Sequence, residues 1–192
     1  MRCVILSLAA LFTSNLRSDT SVKFSTGVLV KTAMLIALGI ALPLTLHGVP
    51  SGGRIFLPMH LPVLLAGVFV GPLSGLVAGA ITPLLSSLLT GMPPMVPPIA
   101  IQMSVELALF GVISGLMYRV YKQHILLSIA VTLLGGRLAF SLITLALFPL
   151  FGLNPVPLSI VFGASLLMAL PGLLLQLILI PAAVVLAPKL RK

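Results

Sequence analysis

Long apolar stretches, separated by short connections rich in glycine, proline or polar residues, dominate the chain from about residue 28 onward. A helix that crosses a bilayer needs ~20 predominantly apolar residues, and six stretches approach that length. The predicted spans are Val28–Leu46, Ile55–Val70, Leu73–Leu89, Ile99–Tyr118, Ile125–Phe151 and Leu158–Leu186. The pattern predicts an all-α integral membrane protein, a bundle of six transmembrane helices that forms one domain over residues 28–188.

Composition supports a lipid environment. Hydrophobic residues make up 59% of the 192 residues and charged residues only 7%, and the mean hydropathy is +1.29, which a soluble domain with a polar exterior does not reach. Lys and Arg outnumber Asp and Glu by 11 to 2, but they are spread thinly and form no basic stripe, so nucleic-acid binding is not expected. The single cysteine, Cys3, allows no internal disulfide, and no metal-ligand spacing occurs.

The basic residues favour one orientation. One set of alternate connections receives only Arg54. The opposite set receives Lys23, Lys31, Arg119, Lys122, Lys189, Arg191 and Lys192. Because Lys and Arg collect in cytoplasmic loops, both termini are predicted to be cytoplasmic in a multi-pass protein of the plasma membrane, with residues 189–192 as a basic tail.

Residues 1–27 stand apart from the predicted spans. Met1 to Phe12 has a basic residue followed by an apolar run, as in a weak signal peptide, but no clear cleavage site follows. We interpret residues 1–27 as an N-terminal extension, either lying at the membrane surface or reflecting a misassigned start.

Catalytic patterns are missing from the sequence. Asp19 lies in the N-terminal extension, which leaves Glu106 as the only carboxylate in the bundle and excludes a mechanism based on paired acids. No Gly-x-Ser-x-Gly or His-Glu-x-x-His pattern occurs, and no phosphate-binding loop is present. The chain is therefore predicted not to be an enzyme, to carry no cofactor, and not to hydrolyse nucleotide itself.

Glu106 and Arg137 are predicted to lie at similar depths in the bundle. Glu106 lies ~10 Å from the outer end of the fourth span, at 1.5 Å per residue. Arg137 lies about 18 Å along the fifth span from the inner face, and hence ~12 Å from the outer edge of a ~30 Å core. The two side chains can form an ion pair in the outer half of the bundle, and the sequence leaves open whether that pair binds a ligand or only joins two helices.

Other polar residues lie near the predicted outer ends of the spans. Gln102 is four residues before Glu106 and shares its helix face. Gln176 is predicted to form a hydrogen bond between helices rather than to contact a ligand. The predicted substrate-binding residues, which outline a pocket open to the exterior, are Glu106, Arg137, Gln102, His60, Arg54, Thr90 and Asn154.

Small residues recur along the first span. Ala33, Ala37 and Ala41 occur at every fourth position, which forms a smooth ridge on one helix face and lets another helix approach closely. The ridge either docks a partner or packs within this bundle.

With these features, the chain resembles the substrate-binding S component of an energy-coupling factor (ECF) vitamin transporter. The resemblance rests on Ala33-x-x-x-Ala37, on the size and six-span layout, and on two sequence stretches. These stretches are Gly53–Gly67, followed by Gly71-Pro72, and Leu84–Pro94.

The resemblance implies high-affinity capture of a vitamin or related micronutrient from outside the cell. It further implies docking, through the alanine ridge, on a transmembrane coupling (T) protein that works with two ATPase subunits, so that ATP is used by the partners. The loops Gly48–Gly53 and Gly91–Pro98 have the glycine and proline content of a gate. With no Trp and two Tyr, the chain lacks the aromatic pocket typical of thiamin binders. A stand-alone transporter and a structural subunit without a ligand are the alternatives.

Overall fold

The structure, a computed structural model, describes residues 25–45, 56–95, 99–152, 157 and 165–186. Within these ranges the chain forms helices and no strand, which confirms the predicted all-α class for this part of the chain. In chain order the helices are α1 (Thr26–Thr45), α2 (His60–Val70), α3 (Pro72–Thr90), α4 (Ile99–Val120), α5 (Ile125–Leu150) and α6 (Ser165–Leu186).

Five of these helices, all except α2, are long and apolar enough to cross a membrane. α2 consists of 6 residues of α-helix followed by 5 of π-helix and rises about 16 Å, roughly half of a ~30 Å hydrocarbon core. The predicted second span is not one continuous helix, because Leu57 takes a φ of +47° immediately before Pro58. A proline disfavours the α conformation in the residue that precedes it, and α2 consequently begins at His60.

Although α2 is short, it packs against four other helices. It contacts α1, α3, α4 and α6, and Leu64 and Ala66 are fully buried. Leu64 and Val68 belong to one apolar cluster together with Phe110, Ile129, Leu133, Ile180 and Val184. Met59, Val63 and Ala66 belong to a second cluster, with Ala78 and Leu107. Burial on all sides compensates for the few hydrogen bonds that so short a helix can form.

Glycines let α3 and α4 cross at backbone contact. A Cβ atom on Gly75 would overlap the carbonyl group of Gly111, and one on Gly79 would overlap the backbone at Leu107. A Cβ atom on Gly115 would lie 2.6 Å from the nitrogen of Pro72. Small residues at such crossings allow the dispersion contacts that hold helices together in lipid. α3 and α4 thus form the tightest helix pair among the described residues.

Arg119 closes the end of α2. Its Nη1 donates hydrogen bonds to the carbonyl oxygen of Phe69, at 2.8 Å, and to that of Val70. These are among the last carbonyls of α2, which have no partner within their own helix. The connection to α3 is the single residue Gly71, so a side chain from α4 caps the helix instead. We refer to this end of the bundle, where α2 and α4 end and α3 and α5 begin, as the Arg119 end.

Candidate functional site

Three helices bring three ionisable side chains together. His60 is the first residue of α2, Glu106 lies in the second turn of α4, and Arg137 lies near the middle of α5. His60 Nε2 is 3.8 Å and Arg137 Nη1 is 3.7 Å from the same oxygen, Glu106 Oε1. Both distances fit charge pairing but exceed hydrogen-bond length. We call these three residues the ionic cluster.

The ionic cluster is buried and incompletely paired. His60 is 1% exposed and Glu106 is 2% exposed, and the Arg137 side chain is 14% exposed. Among the described residues, several of its atoms have no hydrogen-bond partner, namely His60 Nδ1 and Nε2, Glu106 Oε1, and Arg137 Nε and Nη2. Leaving a buried polar group unpaired costs about 1–3 kcal/mol. Ionisable groups inside a membrane domain persist when they pair with one another or serve a function.

Aromatic rings border the ionic cluster. The ring of Phe110 meets the His60 ring edge to face, with centroids 5.1 Å apart and an interplanar angle of 79°. Gly136 makes room for Phe110, because a Cβ atom there would overlap the ring. The guanidinium carbon of Arg137 lies 5.6 Å from the centroid of Phe140, within cation–π range. The rings keep the surroundings of the charges apolar, which strengthens electrostatic attraction.

Two glutamines make contacts between chain segments near the cluster. Gln102 Nε2 donates a hydrogen bond to Thr144 Oγ1 on α5, and Thr144 in turn donates to the Phe140 carbonyl at 2.7 Å. Gln176 on α6 donates to the Leu57 carbonyl at 3.5 Å, and since Leu57 precedes α2, this hydrogen bond joins a helix to a connecting segment rather than two helices. The Oε1 atom of Gln176 is buried and has no partner among the described residues.

The remaining predicted substrate-binding residues are not in the ionic cluster. Thr90 is in the last turn of α3, where its hydroxyl donates to the Ser86 carbonyl at 2.8 Å. No hydrogen bond or ion pair in the described ranges joins Thr90 to the cluster. Arg54 and Asn154 lie outside the described residues, as does the predicted gate Gly48–Gly53.

The predicted pocket open to the exterior stays a prediction, because Arg54 and Asn154, which help to outline it, lie outside the described residues. Gln102, His60 and Glu106 are each at most 3% exposed, because α2, α4 and α5 pack closely around them. Two surface clefts that the described residues form lie instead at the Arg119 end. In the described part of the chain, His60 and Glu106 are therefore buried, while the Arg137 side chain is partly exposed.

The alanine ridge on α1 faces outward. Ala33, Ala37 and Ala41 are all exposed, whereas the buried residues of α1 are Thr32 and Gly39. Gly39 faces α3, since a Cβ atom there would lie 2.7 Å from the Thr82 methyl carbon. In the part of the chain that the structure describes, the ridge is therefore open to another helix, and docking of a partner there stays a prediction.

Metal binding has no support among the described residues. No three His, Cys, Asp or Glu side chains come together in those ranges. The Arg137 guanidinium lies 3.7 Å from Glu106 Oε1, and its positive charge repels a cation. The cluster suits an organic ligand with polar groups better than it suits a metal ion.

Phe110 and Thr144 border the site but were not predicted from the sequence, although the sequence contains a signal for each. Phe110 follows Gln102 and Glu106 at intervals of four residues and shares their helix face. Thr144 follows Arg137 by seven residues, two helical turns along the same face of α5. Extending both faces by one further step identifies the residues that border the ionic cluster.

A family model, ECF transporter, substrate-specific component, matches residues 28–184. The matched range begins in α1, ends in α6 and contains the whole ionic cluster. No curated protein and no solved structure shows significant similarity to the chain.

Proposed function

Because the chain belongs to the family of substrate-specific components of ECF transporters, we propose that it captures a vitamin or related micronutrient outside the cell and binds it at the ionic cluster. The chain is a multi-pass membrane protein and a transport subunit rather than an enzyme. The observation that carries the proposed site is the convergence of His60, Glu106 and Arg137 from three helices, with unpartnered donors and acceptors in a buried, apolar surrounding.

The ionic cluster limits the chemistry of the ligand. Arg137 offers only donors, ionised Glu106 offers only acceptors, and His60 can supply either. A complementary ligand presents an acceptor or a negative charge to Arg137 and an N–H or O–H group to Glu106. A small polar heterocycle with adjacent donor and acceptor atoms, or a carboxylate, meets this requirement. Pairing with such a ligand offsets the cost of the unpartnered atoms.

Access is proposed to come from the end of the bundle opposite the Arg119 end. Lys122 and Arg119 favour a cytoplasmic location for the Arg119 end under the positive-inside rule, and the six spans predicted from the sequence would place both termini on that face. Under this orientation the connections Gly48–Gly53 and Gly91–Pro98 are proposed to be external and to act as the gate over the ionic cluster. Gly91, with a φ of +73°, ends α3 and donates to the Ser87 carbonyl, which gives this connection a fixed starting point.

Transport is proposed to require other polypeptides. The sequence carries no nucleotide-binding motif, so ATP hydrolysis falls to two ATPase subunits, coupled through a transmembrane T protein. The exposed ridge of Ala33, Ala37 and Ala41 supports docking of that protein on α1, since small side chains let two helices approach closely. No cofactor is needed in this chain.

The proposed function is tested by identifying what the purified protein binds. The protein is extracted in mild detergent, washed and denatured, and released small molecules are identified by mass spectrometry. We expect one compound at near-stoichiometric amount from the unaltered protein and a large reduction from Glu106→Gln. Ser141→Ala is the control, because its hydroxyl donates to the Arg137 carbonyl at 3.0 Å and takes no part in the ionic cluster. Release of no compound, with none bound when candidate vitamins are added, would favour a structural subunit without a ligand.

A further inference from the structure

Two clefts lie side by side at the Arg119 end, away from the ionic cluster. One has a volume of about 250 Å³ and is lined by Val68, Tyr118, Arg119, Lys122 and Gln123. The other has a volume of about 340 Å³, shares three of these residues and extends to His124, Ile125, Val184 and Val185. They meet where α4 ends, α5 begins and α6 ends.

Lys122 lies at the junction of the two clefts and lines both. Its φ of +52° is a left-handed backbone conformation, which is uncommon for a residue other than glycine. The residue is exposed, and no ion pair engages its ammonium group in the described ranges. This conformation ends α4, where the Gln123 N–H donates to the Met117 carbonyl at 3.0 Å, and it places Lys122 between the two clefts.

The clefts are electropositive. Arg119 and Lys122 line the first cleft, and Lys122 also lines the second. Glu106 is the only acidic residue among those described, and it is buried beside His60 and Arg137. Among the described residues, no carboxylate therefore lines either cleft, and the charge there favours an anion.

An apolar surface continues from the second cleft. Val184 and Val185 form part of its wall, and the neighbouring Val185 and Leu186 are 74% and 83% exposed. These residues are the last of α6, a helix long enough to cross a membrane. A basic cleft beside an exposed apolar helix end is the arrangement that phospholipid recognition uses, with the phosphate on the basic groups and an acyl chain on the apolar surface.

We propose that the two clefts form a binding site for an anionic phospholipid, with its phosphate beside Lys122 and Gln123 and one acyl chain over Val185 and Leu186. The site is separate from the ionic cluster and does not depend on the identity of the transported solute. Charge favours an anionic headgroup over a zwitterionic one. The exposed apolar wall favours a lipid over a free anion.

The test is native mass spectrometry of the full chain, released from vesicles that contain equal amounts of phosphatidylglycerol and phosphatidylcholine. We expect the unaltered protein to retain phosphatidylglycerol in preference. Lys122→Gln should reduce that preference about fivefold, the effect of one lysine near an anionic surface, whereas Lys122→Arg should preserve it. Lys31→Gln is the matched control, because Lys31 is an exposed lysine on α1 that lines neither cleft. Thermal unfolding of each variant reports whether it is folded.

Three results would overturn the proposal. In the first, Lys122→Gln and Lys31→Gln reduce the preference equally, which indicates attraction to overall charge. In the second, inorganic phosphate binds to the protein in phosphatidylcholine vesicles and displaces no lipid, which indicates a free-anion site. In the third, lipid preference is unchanged by Lys122→Gln while association with a coupling protein is lost, which indicates a protein-docking surface.

Discussion

Arg137 and Glu106 face each other between α5 and α4, with Arg137 Nη1 3.7 Å from Glu106 Oε1. The matching depths calculated from the sequence predict this proximity. The distance is too long for a hydrogen bond, so the two charges attract each other while several of their polar atoms stay unpartnered. A pair of this kind contributes less to stability than a hydrogen-bonded pair and retains capacity to bind a ligand.

We expect Glu106→Gln to separate stability from binding. The change should lower the free energy of unfolding by about 1–3 kcal/mol, because it leaves Arg137 without a counter-charge. Ligand affinity should fall at least ~30-fold, since truncating one partner of a buried charged contact costs about 2–5 kcal/mol. The double variant Glu106→Gln with Arg137→Gln should recover stability but not binding. Denaturant unfolding in detergent and equilibrium binding measure the two effects. Recovery of stability in the double variant, with binding retained in both variants, would identify a purely structural pair, and additive losses of stability would show that the two side chains do not interact.

His60→Phe should weaken binding without loss of stability. Phenylalanine keeps a ring against Phe110 and removes two buried nitrogens that have no hydrogen-bond partner among the described residues. Affinity should fall about tenfold, the equivalent of one hydrogen bond of about 1.4 kcal/mol. Met59→Leu, at the preceding buried position, is the control. Unchanged ligand affinity in His60→Phe would remove histidine from the site.

Gly111→Ala should destabilise the bundle. The added methyl group would overlap the carbonyl group of Gly75, and overpacking of this kind costs about 1–3 kcal/mol. Gly27→Ala is the matched control in α1, where the nearest atom to a new Cβ lies 3.7 Å away. That control should be neutral or stabilising, because alanine favours helix over glycine by about 1 kcal/mol. Thermal unfolding in detergent compares the two, and equal stability would contradict the close crossing of α3 and α4.

Ala37→Leu should abolish association with the coupling protein while leaving this chain folded. Ala37 is exposed, so a larger side chain has room in the isolated protein and obstructs only a helix that docks on the ridge. Ala146→Leu makes the same change at an exposed alanine of α5. Copurification of the coupling protein and ATPases is the measurement, and equal recovery with both variants would exclude docking through the ridge.

Cysteine labelling should define the orientation. In a Cys3→Ser background, a membrane-impermeant reagent added to intact cells should label Met92→Cys, which follows α3. Gln123→Cys, at the Arg119 end, should react only after permeabilisation. The reverse pattern would place the basic residues outside and contradict the positive-inside assignment.

The apolar spans alone predict most of the fold, because the length and hydropathy of five helices leave little alternative. α2 was the exception. A hydropathy pattern does not distinguish a continuous helix from an apolar segment that Leu57 and Pro58 interrupt, and the helix starts five residues after the predicted Ile55.

The meeting of Glu106 with Arg137 followed from depth along consecutive antiparallel helices, which a rise per residue determines. The proximity of His60 to Glu106 could not be predicted in this way, since the position of His60 depends on where α2 begins. Likewise, the enclosure of Gln102 depends on its contact with Thr144, and periodicity within one helix does not predict which residue faces it on another.

The hydrogen bonds from Arg119 to Phe69 and Val70 have a consequence for motion. Gly71 is the only residue between α2 and α3, so the connection is too short to let the two helices move independently. Arg119 of α4 binds the last carbonyl groups of α2. A change in the angle between α2 and α3 must therefore either break those bonds or carry α4 along. The end of α2, the start of α3 and the end of α4 must therefore move together, and Arg119 is the side chain that links them.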